Sequence, residues 1–502
     1  MVEEFLKVFD EDRAFDDLCR IALFDRIQLS SDLKNALDFV HETLTECGIE
    51  VRMIQFNHRG RIDGYRVPEV WEGEGRLYLK DSKLDCRIIK HSEHMDEGAY
   101  GLVNMNDGTE EEEYSDKDVE GKIVVSDGEP SRVARLAKSH GATGLISDWL
   151  PGICEDADAI AYKSFFEDEG SGFMVSKTTG RALRKEKNVR CFIDARKKKG
   201  PTPVVVAETG EGDEELICTA HICHPKHEAN DNASGAALLM EVMRSLSGMK
   251  TKRRIKALWV PEMLGTIAYL SREKSRAVAG LNLDMVGEDQ FICRSPLLME
   301  SPPFFYDSYA TDLLCSIMNR VKGTTQLGSA KSLSADSSYP LYMSYLTPFS
   351  GGSDHVILND AGIATPMLIH WPDAFYHTSK DTIDKVSREE LRRVGILASE
   401  YLLTLSNSER KPSISQNRTE GKGEVYERSY PQPMFTIKDK EYQWSKREFL
   451  HSSIPYLAMM LVNGERSTED ICRLMKKQKM DTKEVPAFLK IMEREGYLKS
   501  RA

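Results

Sequence analysis

Between residues 204 and 405, apolar runs of strand length alternate with runs of helical period, and this alternation constrains the fold more than any other feature of the chain. Val204-Val-Val-Ala-Glu208 and Glu215-Leu-Ile-Cys-Thr-Ala220 read as strands. Ala233 to Leu246 reads as a helix, with Leu239, Val242 and Leu246 on one stripe. Arg254 to Val260 is a further strand, Ala277 to Asp284 contains another, and a helix from Ser387 to Leu405 closes the block. Strands that alternate with helices pair in parallel, because a parallel pair needs a crossover long enough to hold a helix. The prediction is an α/β fold: a mixed, mostly parallel sheet covered by helices.

The chain has 502 residues, too many for one ordinary domain. Upstream, Leu33, Ala36, Leu37, Val40 and Leu44 recur at helical spacing, Ser30 or Ser31 can cap that helix, and Ile49 to Phe56 alternates as a strand. The character changes from 61 to 198. An irregular acidic stretch leads into a strand–helix–strand unit over Gly121–Ser126, Arg132–His140 and Leu145–Ser147. The expected organisation is a discontinuous body (1–60 and 199–410), an inserted domain (61–198), a linker (411–436) and a small terminal domain (437–502). In the last, Ser445–Val462, Ser467–Lys479 and Thr482–Glu495 read as three helices before a short strand, a winged-helix pattern. Ser467-Thr-Glu-Asp470 carries a capping signature.

A net charge of -12 disfavours nucleic acid as a partner of the whole molecule. The terminal domain holds ten basic against seven acidic residues from Glu465 onward, and Pro486 interrupts the start of the would-be recognition helix. That favours protein interaction or self-association as a homo-oligomer over DNA binding through the winged helix. The ten cysteines are scattered, with no Cys-x-x-Cys pair, as in a cytosolic protein with reduced thiols. The acidic amphipathic start lacks the features of a signal peptide, and no apolar run reaches about 20 residues. A cytoplasmic protein that does not enter the membrane is expected.

Residues able to do chemistry fall at the ends of the predicted strands, where open α/β sheets place their sites. His221 follows the strand ending at Ala220, with Cys223, His224 and His227 close by and Asp231 ahead of the next helix. Glu262 follows Val260, Asp284 ends its own strand, and His377 lies in Phe375-Tyr-His-Thr-Ser-Lys-Asp-Thr382. Ser353-Asp354-His355 follows Gly351-Gly352. Taken singly, each has an ordinary structural reading as a cap, salt-bridge partner or polar turn. As a set, imidazole and carboxylate are the donors that Zn²⁺ takes.

Their order resembles the co-catalytic zinc aminopeptidases, the family that includes aminopeptidase Y and bacterial leucyl aminopeptidases. The matching segments are His221-Ile-Cys223, Asp231-Asn-Ala-Ser-Gly235, Pro261-Glu262, Asn282-Leu-Asp-Met285 and Tyr376-His-Thr-Ser-Lys-Asp-Thr382, and the resemblance spans roughly residues 30 to 405. It implies a three-layer α/β/α body, and Gly121 to Ser147 looks like the protease-associated domain often inserted in that family. By the same resemblance Asp231 bridges two metals. His221 and Asp284 complete one site, and His377 with a glutamate completes the other. A water made acidic by the metal would be the nucleophile, with a glutamate as base. Ser353, Asp354, His355 and Tyr376 are taken as substrate-binding.

The chain departs from the family pattern twice. Cys223 stands where an aspartate orients the ligand histidine, so Cys223 and His224 are taken as supporting or alternative ligands. Pro261-Glu262 replaces a Glu-Glu pair; in register Glu262 is a ligand and no base remains, whereas chemistry would make it the base at a single zinc. The variant His-Ile-Cys-His-Pro form, with its terminal winged helix, is also similar to a poorly characterised prokaryotic aminopeptidase-like group. The expected function is hydrolysis of short peptides or amino-acid conjugates using one or two zinc ions. The alternative is a degenerate binding or regulatory protein, and a smaller share goes to another amide chemistry, such as carboxypeptidase or cyclase activity.

Overall fold

The computed structural model describes residues 7–501 apart from 59, 166–168, 307, 323–326, 332–335 and 411–422. The body is an eight-stranded sheet made of β1 (Glu50–Phe56), β2 (Thr202–Thr209), β3 (Glu215–His221), β4 (Arg254–Val260), β5 (Ala277–Asp284), β6 (Leu297–Glu300), β7 (Ser344–Thr347) and β8 (Met367–His370). The spatial order is β1-β2-β4-β3-β5-β8-β6-β7. β3 lies parallel to both β4 and β5, and β5 is parallel to β8. β1–β2, β2–β4 and β6–β8 are antiparallel, and β6–β7 is parallel. The fold class expected from the alternation is the one observed.

Side chains alternate across this sheet and enter two cores. On one face Val205, Ala207, Leu216, Cys218, Ala257 and Trp259 pack with α1 (Glu11–Ile21), α2 (Ser31–Glu46), α3 (Gly235–Leu246) and α5 (Arg388–Asn407). On the other, Val204, Val206, Ile217 and Leu258 meet α4 (Leu264–Arg272). Both faces are covered, so the strands read as nearly continuous apolar runs. Ser30 caps α2, accepting from Leu33 N at 3.1 Å.

A second eight-stranded sheet is built wholly from residues 70–198. It includes Ile123–Ser126 and Gly144–Ser147, joined by a helix at Pro130–Ser139, as the sequence pattern predicts. Its edge strand Arg87–Ile88 pairs with Gly172–Met174.

Three local expectations need correction. Part of the predicted linker, Val425–Arg428, is a strand paired with Leu498–Arg501; residues 411–422 lie outside the described ones. The predicted helix 445–462 is two short helices, Arg447–Leu450 and Ile454–Leu461, preceded by a third at Lys440–Ser445, because Ser452-Ser453 offers competing hydrogen bonds and Pro455 fits only a first turn. Pro486 likewise sits in the first turn of Val485–Arg494, where its missing N–H costs nothing. Among the described residues no helix is long and apolar enough to cross a membrane.

Candidate metal centre

β4, β3 and β5 are adjacent and mutually parallel across β3, so their carboxyl ends lie side by side. His221 is the last residue of β3 and Asp284 the last of β5, while Glu262 follows β4 by two residues. His221 Nε2 lies 3.2 Å from Asp284 Oδ1 and 3.4 Å from Asp231 Oδ1. The other oxygen of Asp231 lies 3.3 Å from His224 Nε2 and 3.2 Å from His377 Nε2. Two donor clusters result, His221–Glu262–Asp284 and His224–Asp231–His377, each with its donor atoms within 4.8 Å of one another. Asp231 faces both.

Asp231 is held by a turn. Residues Asn230–Ser234 leave helical geometry at Asp231 and Asn232, and the peptide between those two is cis. Asp381 accepts from the backbone N–H groups of Asn230 at 2.8 Å and Asp231 at 3.0 Å. Asn232 donates to Leu283 O at 2.9 Å and accepts from Met285 N at 3.0 Å, tying the turn to the end of β5. Gly235 closes the motif because there is no room for more: a Cβ there would sit 2.5 Å from Leu283 O and 2.5 Å from Asn232 Oδ1.

His224 is oriented from behind. Its Nδ1 meets Glu228 Oε2 at 2.7 Å, and the other Glu228 oxygen pairs with Arg87. Burial would raise the Glu228 carboxyl, but Arg87 and His224 outweigh it and hold it below its ordinary value. Burial would likewise raise Asp231, and the imidazoles of His224, His377 and His221 drive it well down instead. For Glu262 the compensation falls short: burial, with the charges of Asp284, Asp354 and Asp231, outweighs His221 and pushes it up to about 8. His221 is opposed by burial yet raised by Asp284 and Glu262.

A cavity of about 760 Å³ opens over both clusters. No Lys or Arg lines it among the described residues, so its buried carboxylates lack a cationic side chain within the cavity. Imidazole nitrogen and carboxylate oxygen converging in such a place fit Zn²⁺ or a similar divalent ion. Met285, Ile369 and Trp371 supply an apolar wall, and Leu450 and Tyr456 reach it from the C-terminal helices.

The structure regroups the predicted residues. His221, Asp231, Asp284 and His377 converge as expected. The partner of His377 is His224, not a glutamate, while Glu262 stands with His221 and Asp284. Cys223 belongs to neither cluster. Its Sγ lies 3.8 Å from His221 Nδ1 and accepts from Glu262 N at 3.2 Å, and burial keeps the thiol raised. Tyr376 lines the cavity and stacks on His377 at 3.7 Å. Ser353 lines it too, while Asp354 and His355 are buried behind the wall. Asp354 accepts from Met263 N at 2.8 Å and Thr266 Oγ1 at 2.6 Å, and His355 Nε2 meets Glu300 at 2.7 Å. Full burial makes these two supports of the wall rather than surfaces for substrate. Arg87 and Glu228 were not singled out in the sequence, and Asp381 entered only as part of the matching segment Tyr376–Thr382. The i, i+4 spacing of His224 and Glu228 was the local signal for Glu228.

Residues 204–402 match Peptidase family M28. A polysaccharide biosynthesis protein of Clostridium acetobutylicum described with an aminopeptidase-like domain is 31% identical over 132 residues, 26% of this chain and 30% of that protein. Aminopeptidase YwaD of Bacillus subtilis is 27% identical over 209 residues, 39% of this chain and 41% of that protein. The matched stretches thus span well under half of either relative. The solved zinc aminopeptidase BSAP of Bacillus subtilis superposes with a TM-score of 0.62 at 18% identity, covering 80% of this chain and 96% of that one. A solved Clostridium acetobutylicum protein described as a peptidase gives 0.59 at 16% identity, covering 100% and 98%. Residues 204–402 are thus similar to Peptidase family M28, and the chain shares its fold with a solved zinc aminopeptidase.

Proposed function

We propose that the protein is a metal-dependent aminopeptidase-type hydrolase acting on short peptides or amino-acid conjugates. The observation that carries this is the pair of donor clusters lining one cavity, with Asp231 facing both. His221, Asp231 and Asp284 would hold one divalent ion, and Asp231, His224 and His377 a second. When bound, such ions supply Lewis-acid polarisation of an amide carbonyl and acidify water.

The chain's own residues account for the remaining steps. With His224 beside His377, Glu262 is freed from the ligand role that family register would give it. Its carboxylate stands at the mouth of β4 beside His221, where an oxygen can take a proton from the attacking water and return it to the leaving nitrogen. The raised position of Glu262 suits a group that must both accept and release a proton near neutrality. Met285, Ile369, Trp371 and Tyr376 form an apolar flank for an uncharged side chain, and the enclosing C-terminal helices favour a small substrate. Chromogenic aminoacyl amides tested beside their N-blocked forms probe the reading. Zinc-dependent release from free amines alone, lost on chelation, is expected. Equal turnover of blocked substrates, or none under any metal, would overturn it.

A further inference from the structure

The two donor clusters differ in what holds them. His221 and Asp284 end strands of the body's own sheet, and Glu262 follows a third. Both histidines of the other cluster meet the unit of residues 70–198, His224 through its imidazole and His377 through its backbone carbonyl. Arg87, on the edge strand of that unit, pairs with Glu228, which is fully buried and reaches His224 Nδ1 at 2.7 Å. The Tyr162 backbone N–H donates to His377 O at 2.7 Å, Ile160 N donates to Ser379 Oγ at 3.0 Å, and Ser379 N donates to Ile160 O at 2.8 Å. The Tyr162 ring lies 5.3 Å from that of His224 and 5.6 Å from that of His377. Arg26 is also buried nearby, but it spends its donors on carbonyl oxygens, including Glu228 O at 2.9 Å, and does not replace Arg87 at the carboxylate.

We propose that the sheet unit of residues 70–198 completes the second metal subsite, with Arg87 acting as a positioning residue for His224 through Glu228. The inference rests on the metal-centre reading above. A carboxylate behind a ligand imidazole fixes the ring and its tautomer, and its loss weakens metal affinity by about 10–100-fold. Here the carboxylate is itself fixed by a cation from another sheet, so one subsite depends on how the two sheets dock and the other does not.

The test is titration of the metal-free, full-length protein with Zn²⁺ against a chromogenic chelator, for wild type, Arg87→Met and Arg87→Lys. Thermal unfolding is recorded without metal. Wild type is expected to bind two ions. Arg87→Met should weaken one of them by about 10–100-fold and leave the other unchanged, at an unaltered metal-free melting temperature, with Arg87→Lys in between. Arg87→Met that keeps both affinities, or loses both together, overturns the proposal. Glu228→Gln, which removes the charge but keeps the size, is read by the same criteria should Arg87→Met not fold. A wild type that binds fewer than two ions overturns the two-cluster reading itself, which distinguishes the two failures.

Discussion

At the residue scale the decisive feature is His224 beside Asp231 and His377, with Glu262 beside His221 and Asp284. On the proposed reading His224 takes the place of a carboxylate ligand and Glu262 serves proton transfer. Glu262→Gln should therefore lower turnover by about 10²–10⁴-fold while two zinc ions still bind, measured by steady-state kinetics beside metal analysis. A variant that loses an ion together with activity would make Glu262 a ligand. The same residue predicts a pH dependence. Burial holds its carboxyl near 8 in the folded chain, whereas an unfolded glutamate ionises near its ordinary 4.5. Between those values the folded state keeps a proton that the unfolded state has released, so this group's contribution to stability falls as pH rises. In chelator, Glu262→Gln should raise the melting temperature over wild type more at pH 8 than at pH 5. A gap that does not widen would place Glu262 in a solvated setting.

At the scale of elements, the turn between β3 and α3 sets the position of Asp231. Its close is sterically full at Gly235, where a Cβ would meet backbone and side chain at 2.5 Å. Gly235→Ala must push α3 away from β5 or displace Asn232. The expected result is a protein with native far-UV circular dichroism that binds zinc at least tenfold more weakly. Unchanged zinc affinity would show that the turn adapts. The motif glycine was visible in the sequence, but its partner Leu283 O, 48 residues further on, was not. The same applies to Asp354 and His355, whose Gly-Gly setting resembles an exposed loop. Only the packing of α4 against them shows that they brace the wall.

On the scale of the whole molecule, the C-terminal helices have no core of their own. Leu457, Phe488 and Leu489 share one cluster with Val206, Ile217 and Leu258 of the body sheet. The strand Val425–Arg428 anchors the junction, where Arg428 gives Asp360 two contacts at 2.7 Å and the Asp360 side chain is 2% exposed. Arg428→Ala leaves that carboxylate buried without its partner and should cost about 3 kcal/mol in chemical denaturation. It should also loosen Leu450 and Tyr456 at the cavity, raising KM for small substrates more than it lowers kcat. An unfolding curve with a separate early transition for residues 437–502 would show instead that the terminal helices fold alone.

The sequence by itself determined the α/β alternation, the strand ends that carry His221, Glu262 and Asp284, and the order of the motif residues. Each of these depends on local period or on neighbours within a few positions. Only the tertiary structure decided which donors face which. The meeting of His224 with His377, the placing of Glu262 with His221, and the reach of Arg87 from a second sheet are distances between elements far apart in the chain. Hydrophobic periodicity says which face of a strand is buried; it does not say which loop from another sheet arrives beside its end.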